Sequence, residues 1–106
     1  MRFTTEDLKK ATNAEVKNEI AGNFKISTDT RTIGEGDIYL PLKGANFDGE
    51  AFCANSIKAG AAGYFCTKTD NSNNFTLKVD DTLKAYLQIA NFARRKYSPK
   101  VVGVTG

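Results

Sequence analysis

The sequence predicts an α/β fold: a mixed β-sheet packed with helices. After Ile38, short apolar runs alternate with stretches of helical periodicity, the pattern of strands joined by helices that cover a sheet. Before Ile38, two strand-like runs follow one another with no helix between them, which points to a mixed rather than a purely parallel sheet. The chain has 106 residues, 41% apolar and 25% charged, which suits one globular domain with a core of its own.

Each element has a local reason. Thr4 or Thr5 caps a first helix that runs to Thr12, with Leu8 and Ala11 on one face. Residues 15–18 read as a short edge strand, and Ala21-Gly22-Asn23 as a turn. Residues 24–28 alternate apolar and polar, as a half-buried strand does. Residues 34–37 form a Gly-Glu-Gly-Asp turn, and 38–42 an apolar strand whose Pro41 suggests an edge position or a bulge. Residues 43–49 are a loop with glycines at 44 and 49, and 50–59 a helix with Phe52, Ala54 and Ile57 inward, stopped by Gly60. A strand over 61–66 leads into a polar loop, 67–74, whose Asn-Ser-Asn-Asn reads as a mobile tip. Residues 75–79 form another strand. Asp80 or Asp81 then caps the longest helix, 82–97, with Leu83, Tyr86, Leu87, Ala90 and Ala93 as its apolar face. Pro99 ends that helix, and Val101 to Val104 read as a last strand.

Bulk properties narrow the chemistry. The net charge of +3, from 15 basic and 12 acidic residues, is too mild to argue for nucleic acid. No apolar run approaches the ~20 residues of a membrane span, and the N-terminus carries no apolar signal segment. The expectation is a cytoplasmic, monomeric protein with neither nucleic acid nor membrane as partner. Cys53 and Cys66 fit no metal spacing, and the chain has no histidine, so we expect buried free thiols, no metal site, and no Ser-His or Cys-His nucleophile pair.

Three polar segments follow strands, where ligands gather in open α/β sheets: 27–31, 43–49 and Thr105-Gly106. Their hydroxyls and backbone amides suit a nucleobase and a diphosphate, yet each reads more readily as a self-satisfied turn, with Asp29 accepting local backbone bonds and Arg31 pairing with it. Lys43 is an electrostatic candidate for the diphosphate. Val101 to Gly106, an apolar strand entering glycines, opens like a phosphate-binding loop whose Lys and Ser/Thr lie further on; an ordinary strand ending at a glycine is the alternative. Asp80-Asp81 reads as a helix cap. Arg94-Arg95-Lys96 complements the negative end of the helix dipole, with nucleic-acid contact as the weaker alternative.

In order and spacing, these segments resemble the N-terminal domain of the Mur ligases of bacterial cell-wall synthesis. The matching residues are Ser27-Thr28-Asp29-Thr30-Arg31, Gly36 to Gly44, Asn46-Phe47-Asp48-Gly49, Gly60-Ala61-Ala62-Gly63, Val79 to Ala85 and Val101 to Gly106. The resemblance implies a substrate-binding domain over residues 1–100, with 101–106 as the first strand and opening of a central ATP-binding domain. It implies ATP-driven amide-bond formation in the longer protein, with ATP and Mg²⁺ as its cofactors: the substrate carboxylate becomes an acyl phosphate and the incoming amine displaces phosphate. The piece in hand is expected to hold the UDP end of the substrate, to bind no cofactor, and to be inactive alone. Carried over by position, Thr28 and Thr30 contact the uridine, Ala45, Asn46 and Phe47 line the diphosphate and sugar side, and Thr105 and Gly106 begin the ATP loop. The Lys-Gly-x-x-Phe-Asp loop and the Asp-Thr-Leu-Lys-Ala helix start favour members that join D-alanyl-D-alanine to UDP-N-acetylmuramoyl-tripeptide over members that add the third amino acid. A stand-alone ligand-binding module on the same fold is the other reading.

Overall fold

The computed structural model describes residues 2–44, 47–48 and 53–97. Its centre is a five-stranded mixed sheet in the order β2-β9-β8-β5-β4, where β2 is Glu15–Lys17, β9 is Phe75–Lys78, β8 is Gly63–Cys66, β5 is Ile38–Tyr39 and β4 is Ile26–Ser27. Strands β4, β5, β8 and β9 are mutually parallel, and only the edge strand β2 runs antiparallel, against β9. A small antiparallel pair joins β1 (Phe3–Thr4) to β3 (Asn23–Phe24), and another joins β6 (Lys43–Gly44) to β7 (Phe47–Asp48).

Period-2 alternation sorts the sheet into two faces. Ile38, Leu40, Phe65, Phe75, Leu77 and Val79 point to one face, where they meet Leu8 of helix α1 (Thr5–Thr12) and Ala85, Ile89 and Ala93 of helix α3 (Thr82–Tyr97). Tyr39, Tyr64 and Cys66 point to the other, under Cys53 and Ile57 of helix α2 (Cys53–Lys58). Gly63 is required where it sits: a Cβ there would lie 2.4 Å from the carbonyl oxygen of Phe75 on the neighbouring strand. Gly60 follows α2 at a φ of +110°, and a Cβ there would lie 3.3 Å from the Cα of Glu35.

The ends of α1 and α3 are capped by side chains. Thr4 Oγ1 accepts from Asp7 N–H at 3.1 Å while Asp7 accepts from Thr4 N–H at 3.0 Å, a reciprocal box at the start of α1. Asp81 Oδ1 accepts from the N–H groups of Leu83 and Lys84 at the start of α3. Lys96 in the last turn of α3 reaches Asp7 at 2.7 Å, so the two helices are tied as well as packed.

Several expectations are corrected. The strand expected over 24–28 is divided: Phe24 pairs in the small β1–β3 ladder and fills the core against Phe75, whereas Ile26–Ser27 joins the main sheet. β5 is an interior strand, not an edge; Pro41 is tolerated because the last ladder amide, Leu40 N–H, donates to Ser27 O before it. Of the apolar face expected for α3, only Ala93 is in the core; the other four residues face outward. Thr82, Ala85, Ile89 and Ala93 are buried, while Leu83 (52%), Tyr86 (41%) and Leu87 (55%) are exposed, as is Ala90. Two stripes of this helix have helical spacing, and the one with small alanines sits closest to the sheet. The Asn-rich loop is not a loose tip: Tyr64 Oη hydrogen-bonds Asp70, Ser72 Oγ at 3.4 Å and Asn74 Nδ2 at 3.3 Å. Of the helix expected over 50–59, residues 50–52 lie outside the described residues, as does everything from 98 onward, including the proposed domain boundary.

Candidate functional site

Parallel pairing sends the carboxyl ends of β4, β5, β8 and β9 to one edge of the sheet. At the β4–β5 corner of that edge, the Ser27–Tyr39 register places residues 28–32 beside residues 40–44. The Gly-Asp pair sets up β5 rather than touching a ligand. Asp37 is buried, its carboxylate accepts from Gly34 N–H at 2.9 Å, and its carbonyl accepts from Ala62 N–H at 2.7 Å. Gly36, at a φ of +84°, donates to Gly60 O at 2.8 Å, closing the turn onto the end of α2.

Residues 28–32 hold their own shape. Asp29 caps a single 3-10 turn, Thr30–Thr32, by accepting from Arg31 N–H at 2.9 Å. Arg31 closes back on the same carboxylate with Nε at 3.1 and 3.2 Å and Nη2 at 2.8 Å. Those hydrogen bonds hold the Asp29 carboxyl below its ordinary range and raise the Arg31 guanidinium. The pair is open to water, with the Arg31 side chain 86% exposed, so it shapes the loop more than it stabilises the fold. Asp29 and Arg31 thus behave as the local-turn reading expected. Thr28 is half-buried beside them, and its hydroxyl has no partner among the described residues.

From β5 the chain runs through Leu42 into the β6–β7 pair, where Lys43 is opposite Asp48 and Gly44 opposite Phe47. Of the residues singled out in the sequence, the backbones of Thr28, Thr30, Lys43 and Phe47 therefore belong to the two segments that leave adjacent parallel strands. Ala45, Asn46, Thr105 and Gly106 lie outside the described residues. Among the described residues no group of three or more His, Cys, Asp or Glu side chains is placed to hold a metal; neither cysteine is in a disulfide, and Cys66 is buried but Cys53, expected buried, is only partly so. No helix among them is long and apolar enough to cross a membrane.

Sequence reasoning missed the tie beneath the β8–β9 loop. Burial and the bond to Asp70 raise the Tyr64 phenol, while Ser72 first and Tyr64 second hold the Asp70 carboxyl low. Lys17 Nζ also reaches the Asp70 carbonyl. The Asp-Asn-Ser turn was visible as turn chemistry; its partner Tyr64, on the preceding strand, was not. Also missed was an open groove of about 560 Å³ lined by Phe3, Ile26, Tyr86, Ile89, Ala90 and Ala93, with Lys25 and Arg94 at its margin.

Comparison with known proteins matches residues 25–104 to a family model described as "Mur ligase family, catalytic domain". The chain belongs to the Mur ligase family. Against the UDP-N-acetylmuramoyl-tripeptide--D-alanyl-D-alanine ligase of Bacillus subtilis (strain 168), this Mur ligase chain is 32% identical over 103 residues, covering 94% of itself and 22% of the relative. It matches the UDP-N-acetylmuramoyl-L-alanyl-D-glutamate--2,6-diaminopimelate ligase of Clostridium perfringens (strain 13 / Type A) at 31% over 93 residues, 84% of this chain and 19% of that one. Among solved structures, MurF from Acinetobacter baumannii superposes with a TM-score of 0.83 at 26% identity, over 91% of this chain and 22% of that one. The fold is thus the α/β Mur ligase N-terminal domain that the motifs resembled. The chain spans about a fifth of the length of the relatives it matches.

Proposed function

We propose that this chain is the substrate-gripping portion of a ligase that joins D-alanyl-D-alanine to UDP-N-acetylmuramoyl-tripeptide, and that the β4–β5 corner holds the UDP end. The observation that supports it best is the juxtaposition of two polar segments at the carboxyl edge of adjacent parallel strands, with the Thr28 hydroxyl free of described partners and the neighbouring loop pre-shaped by Asp29 and Arg31. In this reading Thr28 and Thr30 contact the uridine, and Lys43, Ala45, Asn46 and Phe47 face the diphosphate and sugar.

Gripping a remote handle has an energetic logic. Binding energy gained at the nucleotide end orients a carboxylate far away and leaves the reacting centre free of bulky recognition groups. ATP supplies the phosphoryl group that activates that carboxylate in the longer protein, with Mg²⁺ beside it; Thr105 and Gly106 begin the ATP loop. The chain in hand grips without turnover, in the cytoplasm, as a monomer.

The test is a chemical-shift titration of the ¹⁵N-labelled chain with UDP-N-acetylmuramoyl-tripeptide. Shifts are expected in 28–32 and 43–48, and Thr28→Val should weaken binding about tenfold by removing one hydrogen bond to the ligand. Unmoved resonances at that corner, or a Thr28→Val chain that binds like the parent, would overturn the assignment. The similarity to the diaminopimelate ligase favours a second reading, addition of the third amino acid. Assaying the full-length reading frame with D-alanyl-D-alanine and with diaminopimelate separates the two.

A further inference from the structure

Helix α3 buries one stripe and shows another to water. Tyr86, Leu87 and Ala90 lie three, four and seven residues after Leu83, so the four exposed apolar positions share one helix face rather than being scattered. Tyr86 and Ala90 also line the 560 Å³ groove, together with Phe3 and Ile26. Stripe and groove are therefore one surface, apolar on its floor and edged by the cations Lys25 and Arg94.

Three occupants compete. A small molecule is disfavoured because binding pockets carry convergent, fixed polar groups, whereas the charged side chains lining this groove are two long, solvent-exposed cations, Lys25 and Arg94. A second copy is disfavoured by size: three half-exposed side chains and a shallow groove fall well short of the about 800 Å² per partner of a standard interface. A tethered partner needs no such area, because covalent linkage supplies a high effective concentration and interfaces between domains of one chain can be small. Such a partner is at hand, since the relatives carry roughly four-fifths of their length beyond what this chain matches.

We propose that the outward stripe of α3 and its groove seat the domain that follows in the full-length ligase, through an apolar patch edged by carboxylates. This rests on the reading of the chain as the front portion of such an enzyme. With one stripe of α3 in the sheet core and the other on the next domain, the helix is a shared beam that sets the gripping edge relative to the reacting centre.

Hydroxyl-radical footprinting of the 106-residue chain and of the full-length protein tests it. Oxidation at Leu83, Tyr86 and Leu87 should fall several-fold in the long protein, while exposed Ile20, outside the stripe, reacts equally in both. Leu83→Gln/Leu87→Gln should restore Tyr86 oxidation in the long protein and leave the melting of the short chain unchanged; a single Leu87→Gln serves if the double variant does not fold. Equal oxidation of the stripe in both proteins overturns the proposal. So does oxidation that falls with concentration of the short chain, which would make the occupant a second copy. Neither readout uses substrate, so a failed UDP titration leaves this result standing, and the converse holds.

Discussion

On the face covered by α1 and α3, the sheet offers Ile38, Leu40, Phe65, Phe75 and Leu77, all nearly inaccessible to water and without polar atoms in their side chains. On the face covered by α2, the described residues offer Tyr39, Tyr64 and Cys66, and the Tyr64 phenol leads out to the Asp70–Ser72–Asn74 loop. The first face is built for stability, where close-packed apolar volume dominates. The second is built for position: among the described residues fewer apolar side chains cover it, and hydrogen bonds hold a loop in one arrangement.

A pair of adjacent residues on β8 tests that difference. Phe65 faces the thick core and Tyr64 the thin one. Phe65→Ala should cost about 3–5 kcal/mol, the sum of lost transfer energy and an unfilled cavity, measured by urea unfolding. Tyr64→Phe keeps the ring and removes only the hydroxyl, so it should cost about 1–2 kcal/mol by leaving Asp70 and Asn74 short of a partner. Amide exchange should rise across 70–74 and hardly elsewhere. Comparable costs for the two, or exchange that rises uniformly, would break the comparison.

Legibility in the sequence follows the same division. The start of α3 was readable to within a residue, because Asp80-Asp81 marks a cap and the structure gives that role to Asp81. The facing of α3 was legible only at Ala93, because helical spacing alone cannot choose between 85/89/93 and 83/86/87/90/93. The choice is made by how closely the helix must approach the sheet and α1, which favours alanine, and that is a tertiary quantity. The strand at 24–28 was legible as extended chain but not as two ladders, since alternation says nothing about which partner each half finds. At the candidate site, Asp29 and Arg31 were readable as a closed local pair because both groups lie within one turn. The adjacency of 28–32 to 40–44 rests on the β4–β5 pairing, which no local motif encodes.

The contact between α1 and α3 sharpens the comparison at its weakest link, because there the thick face is closed by charge as well as by packing. Lys96 lies 2.7 Å from Asp7, and its hydrogen bond, with those from Thr4, holds the Asp7 carboxyl below its ordinary range against the opposing pull of burial. A carboxyl lowered in the folded state stabilises the fold above its unfolded value near 4, and that contribution disappears as pH falls through the lower folded value. Asp7→Asn should therefore cost about 1 kcal/mol at pH 7, since it weakens both a helix cap and a partly exposed ion pair. The gap to the parent should narrow as pH falls below ~4 and go on narrowing as the parent's own carboxylate takes up its proton. Salt at about 1 M should remove part of it at pH 7, because Lys96 is reachable by solvent. Urea melts of both proteins at pH 7 and across the acid range decide the matter. A gap that persists unchanged into acid would mean that the shape of the Asp7 side chain, not its charge, joins the two helices.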